Sequence, residues 1–155
     1  MRSTTPPAAT DRKGTVVRQG RRYETDVRVR WSDLDAFGHV NNARMLTLLE
    51  EARVDWLFTD AGRGGADKLT DGIVVSKLEI HYRRSVGFGQ QVSVSMGVIE
   101  LRPVSTTIDY LLTADGELAV TASSQLVPVD PATFRPRRWN DVEREYLKLF
   151  VQDPT

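Results

Sequence analysis

The sequence contains no cysteine, which excludes disulfides, thiolate nucleophiles and cysteine-ligated zinc or iron–sulfur centres. Its two histidines are too few for an imidazole-rich metal site, so no metal is expected. It has no net charge, since 21 basic residues balance 21 acidic ones, and so lacks the global field that would draw it to nucleic acid or an anionic membrane. Any anionic ligand must be held by a local cluster. No run approaches the roughly 18 apolar residues of a membrane span, and the opening "MRSTTPPAATDRKG" lacks the apolar centre of a secretory signal. These absences lead to the expectation of a soluble, cytoplasmic protein without nucleic-acid or membrane partners. The chemistry is left to carboxylates, hydroxyls, backbone groups or one histidine.

What is present suits one globular domain: 155 residues, 40% hydrophobic and 27% charged. Residues 1–20 carry little to bury and read as a flexible lead, with 21–155 as a single domain. The basic run Arg18 to Arg22 reads as a solvated entry to a strand.

"RYETDVRVRW" alternates, with Tyr23, Thr25, Val27, Val29 and Trp31 on one face, and predicts a first strand. "SDLDAFGH" breaks that pattern with turn formers. From Asn42 the period becomes helical: Met45, Leu48, Leu49, Ala52 and Trp56 form one stripe, and the helix ends near "DAGRGGAD". "GIVVSKLEIHYRR", "QQVSVSMGVIEL", "VSTTIDYLLT" and "GELAVTASSQLVPV" predict four strands in an antiparallel meander. "RWNDVEREYLKLF" predicts a short C-terminal helix capped by Asn140 or Asp141. The expected class is α+β, a five-stranded antiparallel sheet curled around a long central helix. Such a single layer leaves an exposed edge, so association through sheet edges is expected.

Two aspartates, a glycine, a histidine and two asparagines crowd the segment just before the long helix. A plain strand-to-helix turn would use the same residues, because Asp and Asn satisfy unpaired amides as caps. The longer stretch "DLDAFGHVNNARMLTLLEEARVDWL" resembles the signature of the hotdog-fold acyl-CoA thioesterases of the 4-hydroxybenzoyl-CoA thioesterase family. It is closer to the branch of bacterial long-chain acyl-CoA thioesterases, and is also similar to the plant acyl-carrier-protein thioesterases. The element order matches over about Tyr23 to Val129.

The resemblance implies a catalytic carboxylate at Asp35, with Asp33 holding the loop. It places His39 where the plant relatives have a catalytic histidine, although Phe37 stands where those enzymes have an asparagine. It gives Asn42 a backbone amide that polarises the thioester carbonyl. The chemistry is consistent: a thioester needs a negative oxygen or an activated water for attack, together with donors where the oxyanion forms. A helix N-terminus supplies such donors. Asp35 can serve as nucleophile or as general base, and Gly38 permits a positive φ or a close backbone approach between the carboxylate and the helix.

The remaining candidates have simpler readings beside them. Glu50 lies at the margin of the apolar stripe and is a second carboxylate candidate, while Glu51 reads as solvated. His81 alternates with Lys77 and Glu79 on a polar strand face. Arg83 and Arg84 read as a charged strand end or as cations that meet coenzyme A phosphates. "GRGGAD" has no following Lys-Ser or Lys-Thr and is not a phosphate loop.

The leading expectation is therefore hydrolysis of an acyl-CoA to free acid and coenzyme A, with no cofactor beyond the coenzyme A of the substrate. The acyl chain would lie near Met45, Leu46 and Leu49, in a groove closed by the partner subunit of a homodimer or homotetramer. The alternatives are an acyl-carrier-protein thioesterase, a hydratase on the same fold, and a non-catalytic acyl-CoA binding or sensing module.

Overall fold

The computed structural model describes residues 20–66, 69 and 71–153. The lead expected over residues 1–20 lies, but for Gly20, outside the described residues.

Alternation of apolar and polar residues produces five strands: β1 (Tyr23–Val27), β2 (Ile73–Tyr82), β3 (Val92–Arg102), β4 (Ser105–Ala114) and β5 (Glu117–Pro128). All pairings are antiparallel, in the order β1-β3-β4-β5-β2. The expected meander is therefore only partly present. β3, β4 and β5 follow one another, but β2 pairs with β5 at the far edge and β1 takes the place beside β3. Strand β1 also stops at Val27, earlier than its alternation suggested. Val29 is still buried, but Trp31 opens a 3₁₀ turn (Trp31–Asp33) and points to solvent.

The long helix α1 (Asn42–Val54) buries the expected stripe of Met45, Leu48, Leu49 and Ala52 in the same core as Val94, Met96, Ile108 and Leu112 of the sheet. The helix does not simply end there. A π-helical stretch (Asp55–Asp60) keeps Trp56 and Leu57 in the core, and one turn of helix α2 (Ala61–Arg63) leads to Gly64 and Gly65. Tyr23 lies parallel to Trp56 at 6.0 Å between ring centroids, and its hydroxyl donates to Asp55 Oδ2 at 2.6 Å. Among the described residues no helix is long and apolar enough to cross a membrane.

The C-terminal helix α3 (Asp141–Lys148) starts at Asn140, as expected, with a reciprocal cap to Glu143. Glu143 is fully buried and holds both arms of Arg137, at 2.8 and 2.9 Å. The tail then crosses β3: Val98 N–H donates to Phe150 O and Gln152 N–H to Val98 O. Gln152 sits so close to Gly97 that a Cβ there would lie 2.8 Å from its amide carbon.

Candidate functional site

The segment between β1 and α1 folds as a tight hairpin. Leu34 pairs with Val40, Asp35 N–H donates to His39 O at 2.8 Å, and Gly38 N–H donates to Asp35 O at 3.1 Å. The last step needs φ = +79° at Gly38, which glycine adopts without the Cβ penalty. Asp33 is buried beneath the hairpin and accepts Arg30 N–H at 2.7 Å, while its carbonyl accepts Asn41 N–H. It holds the loop, as the sequence suggested.

Asp35 stands at the hairpin's base. Its Oδ1 accepts the backbone amides of Phe37 (2.9 Å) and His39 (3.3 Å). Its Oδ2 has no partner among the described residues. Two amides on one oxygen fix the carboxylate plane and leave the other oxygen open.

The start of α1 has four amides that the helix cannot satisfy, those of Asn41 to Arg44. Asp33 O takes the first, and Asn41 Oδ1, as N-cap, takes Ala43 (2.9 Å) and Arg44 (3.4 Å). Only Asn42 N–H is left without an acceptor among the described residues. The Asn42 carbonyl accepts the Tyr82 hydroxyl at 2.7 Å, which ties the end of β2 to the helix start. Burial pushes the Tyr82 phenol upward, so it remains a neutral donor.

These groups share one open cleft of about 300 Å³, lined among others by Asp35, His39, Asn42, Met45, Arg83 and Arg84. The structure thus brings together six of the sequence-derived candidates. Gly38 lies at the exposed hairpin tip, Leu46 is half-buried, and Leu49 is buried in the core, so these three do not line the cleft. Leu49 belongs to the stripe that packs on the sheet. His39 is exposed, and the ring makes no hydrogen bond among the described residues, while its backbone pairs with Gly87.

Arg83 reaches Thr121 Oγ1 at 3.4 Å, and Arg84 is paired with Glu117 at 2.7 Å on the exposed rim. Glu50 lies outside this cleft, in a small slot of about 90 Å³ between α1 and β2 that also contains Arg53 and Val75. His81 bonds Glu79 on the exposed face of β2. Tyr82 and Val86 also line the cleft and were not foreseen. The parity of Leu78, Ile80 and Tyr82 against Lys77, Glu79 and His81 is the signal that would have found Tyr82. Among the described residues no group of three or more histidine, aspartate and glutamate side chains could hold a metal ion.

Residues 29–147 match the model of the thioesterase-like superfamily. The chain belongs to that superfamily. It is 29% identical over 131 residues to the long-chain acyl-CoA thioesterase FadM of Escherichia coli (strain K12), covering 83% of this chain and 99% of that one. A Thermus thermophilus thioesterase solved with coenzyme A and Zn shares 33% identity at a TM-score of 0.71, covering 82% of this chain and 92% of its own. The DHNA-CoA thioesterase of Staphylococcus aureus superposes at a TM-score of 0.67 with 28% identity, over 76% and 80% of the two chains. The resemblance in the opening motif is borne out: this thioesterase is a thioester hydrolase with the hotdog fold.

Proposed function

We propose that the protein hydrolyses acyl-CoA thioesters at the cleft between the Asp35 hairpin and the start of α1. The observation that carries this reading is the pairing, in a single cleft, of a carboxylate oxygen on Asp35 with the amide of the helix start, Asn42 N–H, both without a partner among the described residues. Hydrolysis requires a nucleophile on one side of the carbonyl and a donor where its oxygen becomes negative. The helix dipole adds to that donor.

Asp35 Oδ2 either attacks the thioester carbon itself, expelling the coenzyme A thiolate and leaving a mixed anhydride that water then opens, or takes a proton from a water that attacks in its place. Either route yields free acid and thiol. His39, exposed at the same cleft, is suited to relay the proton that accompanies water attack. Arg83 and Arg84 at the rim suit the anionic end of the substrate. The reaction written this way draws on a carboxylate, an imidazole, water and a backbone amide.

The active unit in this proposal is a dimer. β2 is a long edge strand that exposes Val74, Val75, Leu78 and Tyr82, and Phe58 and Val54 stand exposed beside it. An edge of this length and apolarity is a template for a second copy, whose β2 would extend the sheet. The acyl chain would then run from the cleft along α1 past Leu46, between the two subunits.

Thiol release from a panel of short, long and aromatic acyl-CoAs tests the reading, with Asp35→Asn as the comparison. A loss on the order of a thousandfold or more in kcat is expected. Undiminished turnover by the variant would move the chemistry away from Asp35, and no turnover of any acyl-CoA by the parent would overturn the proposal.

A further inference from the structure

Tyr82 ends β2 and is anchored there by the sheet. Its backbone pairs with the fully buried Val120 of β5, and the next two amides, Arg83 N–H and Arg84 N–H, both donate to Ala119 O at 2.8 and 3.1 Å. From this fixed position the side chain reaches the first turn of α1, where its hydroxyl donates to Asn42 O at 2.7 Å. A carbonyl in the first turn of a helix already has a partner in the amide four residues on, so this bond does not repair a missing one. It adds a restraint from the sheet on the residue whose N–H is open among the described residues.

The other side of Asn42 is restrained from the hairpin. Asn41 N–H donates to Asp33 O at 2.8 Å, and Asn41 Oδ1 accepts the amides of Ala43 and Arg44. The hairpin is in turn tied to the segment that follows Tyr82: Val40 N–H donates to Val86 O at 2.7 Å, and His39 pairs with Gly87. Residues 82–87 therefore hold both partners of the proposed reaction. The Asp35 carboxylate is referred to them through His39, whose amide it accepts, and the Asn42 amide through the Tyr82 hydroxyl. A shared base of this kind keeps two groups from different elements at a constant separation.

We infer that Tyr82 is a positioning residue for thioester hydrolysis, its hydroxyl fixing Asn42 so that the open N–H points to the place where the thioester oxygen becomes negative. This rests on the reading of Asn42 N–H as the oxyanion donor. A phenol has one proton to give, and Asn42 O takes it, so the hydroxyl cannot also donate to the thioester oxygen. Burial pushes the phenol upward, which keeps that proton in place at neutral pH. The effect belongs to the transition state. A ground-state carbonyl asks little of the direction of a donor, whereas an oxyanion is stabilised most by a donor already aimed at it. A tyrosine that only braced β2 against α1 would alter stability and leave kcat alone.

Tyr82→Phe removes the hydroxyl and keeps the ring, and two measurements on it test the inference. In thiol-release assays kcat should fall about tenfold with KM unchanged, less than the loss of an oxyanion donor because the amide is loosened rather than removed. Amide nitrogen relaxation reads the same restraint without turnover. The order parameter of the Asn42 N–H should fall in the variant, while those of Leu48 and Leu49 stay as in the parent. A kcat equal to that of the parent, a loss carried by KM, or an Asn42 order parameter that does not move would each overturn the inference. A fall in that order parameter in a protein unable to hydrolyse any acyl-CoA would leave the restraint on Asn42 standing and remove only the reading of the reaction.

Discussion

The side chain of Asn41 has two duties that a single substitution can separate. As N-cap its Oδ1 satisfies Ala43 and Arg44, and it stands directly before the amide proposed to meet the oxyanion. Asn and Asp are about equal as caps, but a carboxylate at this position would set a negative charge beside the place where the carbonyl oxygen becomes negative. Asn41→Asp should therefore keep the unfolding midpoint of the parent and lower kcat by about tenfold or more, whereas Asn41→Ala should lose about 1 kcal/mol of stability in denaturant titration. The polar crowding before the helix was legible in the sequence, and so was the place of Asp33 in holding the loop. The resemblance also pointed to the Asn42 amide, but not to why that amide rather than its neighbour stays open. Asn41 and Asn42 look alike as letters, and only the folded hairpin decides that one caps while the other presents its N–H.

Among the strands, β2 carries the most exposed large apolar residues, and its fate decides whether the cleft has a second wall. Leu78→Lys places a charge in the middle of that edge without disturbing the core, since Leu78 is exposed in the single chain. Sedimentation should show a dimer for the parent and a monomer for the variant, with thiol release falling in parallel. A variant that remains dimeric and active would place the interface elsewhere. The five strands and α1 could be read from period-two and helical patterning, because each pattern is local and repeats over several residues. The order of the strands could not, since pairing β2 with β5 rather than β3 depends on contacts between residues as far apart as Ile73 and Pro128. The π-helical stretch was equally hidden. It changes hydrogen-bond partners by one residue while keeping Trp56 on the expected stripe, so the apolar pattern runs through it unaltered.

At the scale of the molecule, two tyrosine–aspartate contacts clamp the π-helical stretch: Tyr23 from β1 onto Asp55, and Tyr146 from α3 onto Asp60. Burial first, and then the adjoining carboxylates, push both phenols well above their ordinary value. A phenol raised in this way keeps its proton in the folded state where the unfolded chain has lost it. Its contribution is fully present below about pH 10 and is lost as pH rises through the folded values. Denaturation midpoints should hold to about pH 10 and then fall, and the fall should be shallower in Tyr23→Phe and Tyr146→Phe. The strap across β3 has a different consequence. Gln152 Nε2 donates to Arg21 O at 2.8 Å, so the two ends of the folded core touch. Connectivity at that seam is then replaceable: a circularly permuted chain, with Gln152 joined to Arg21 by a short linker and new ends opened at the exposed Pro103–Val104 turn, should fold to the same circular dichroism spectrum and retain turnover.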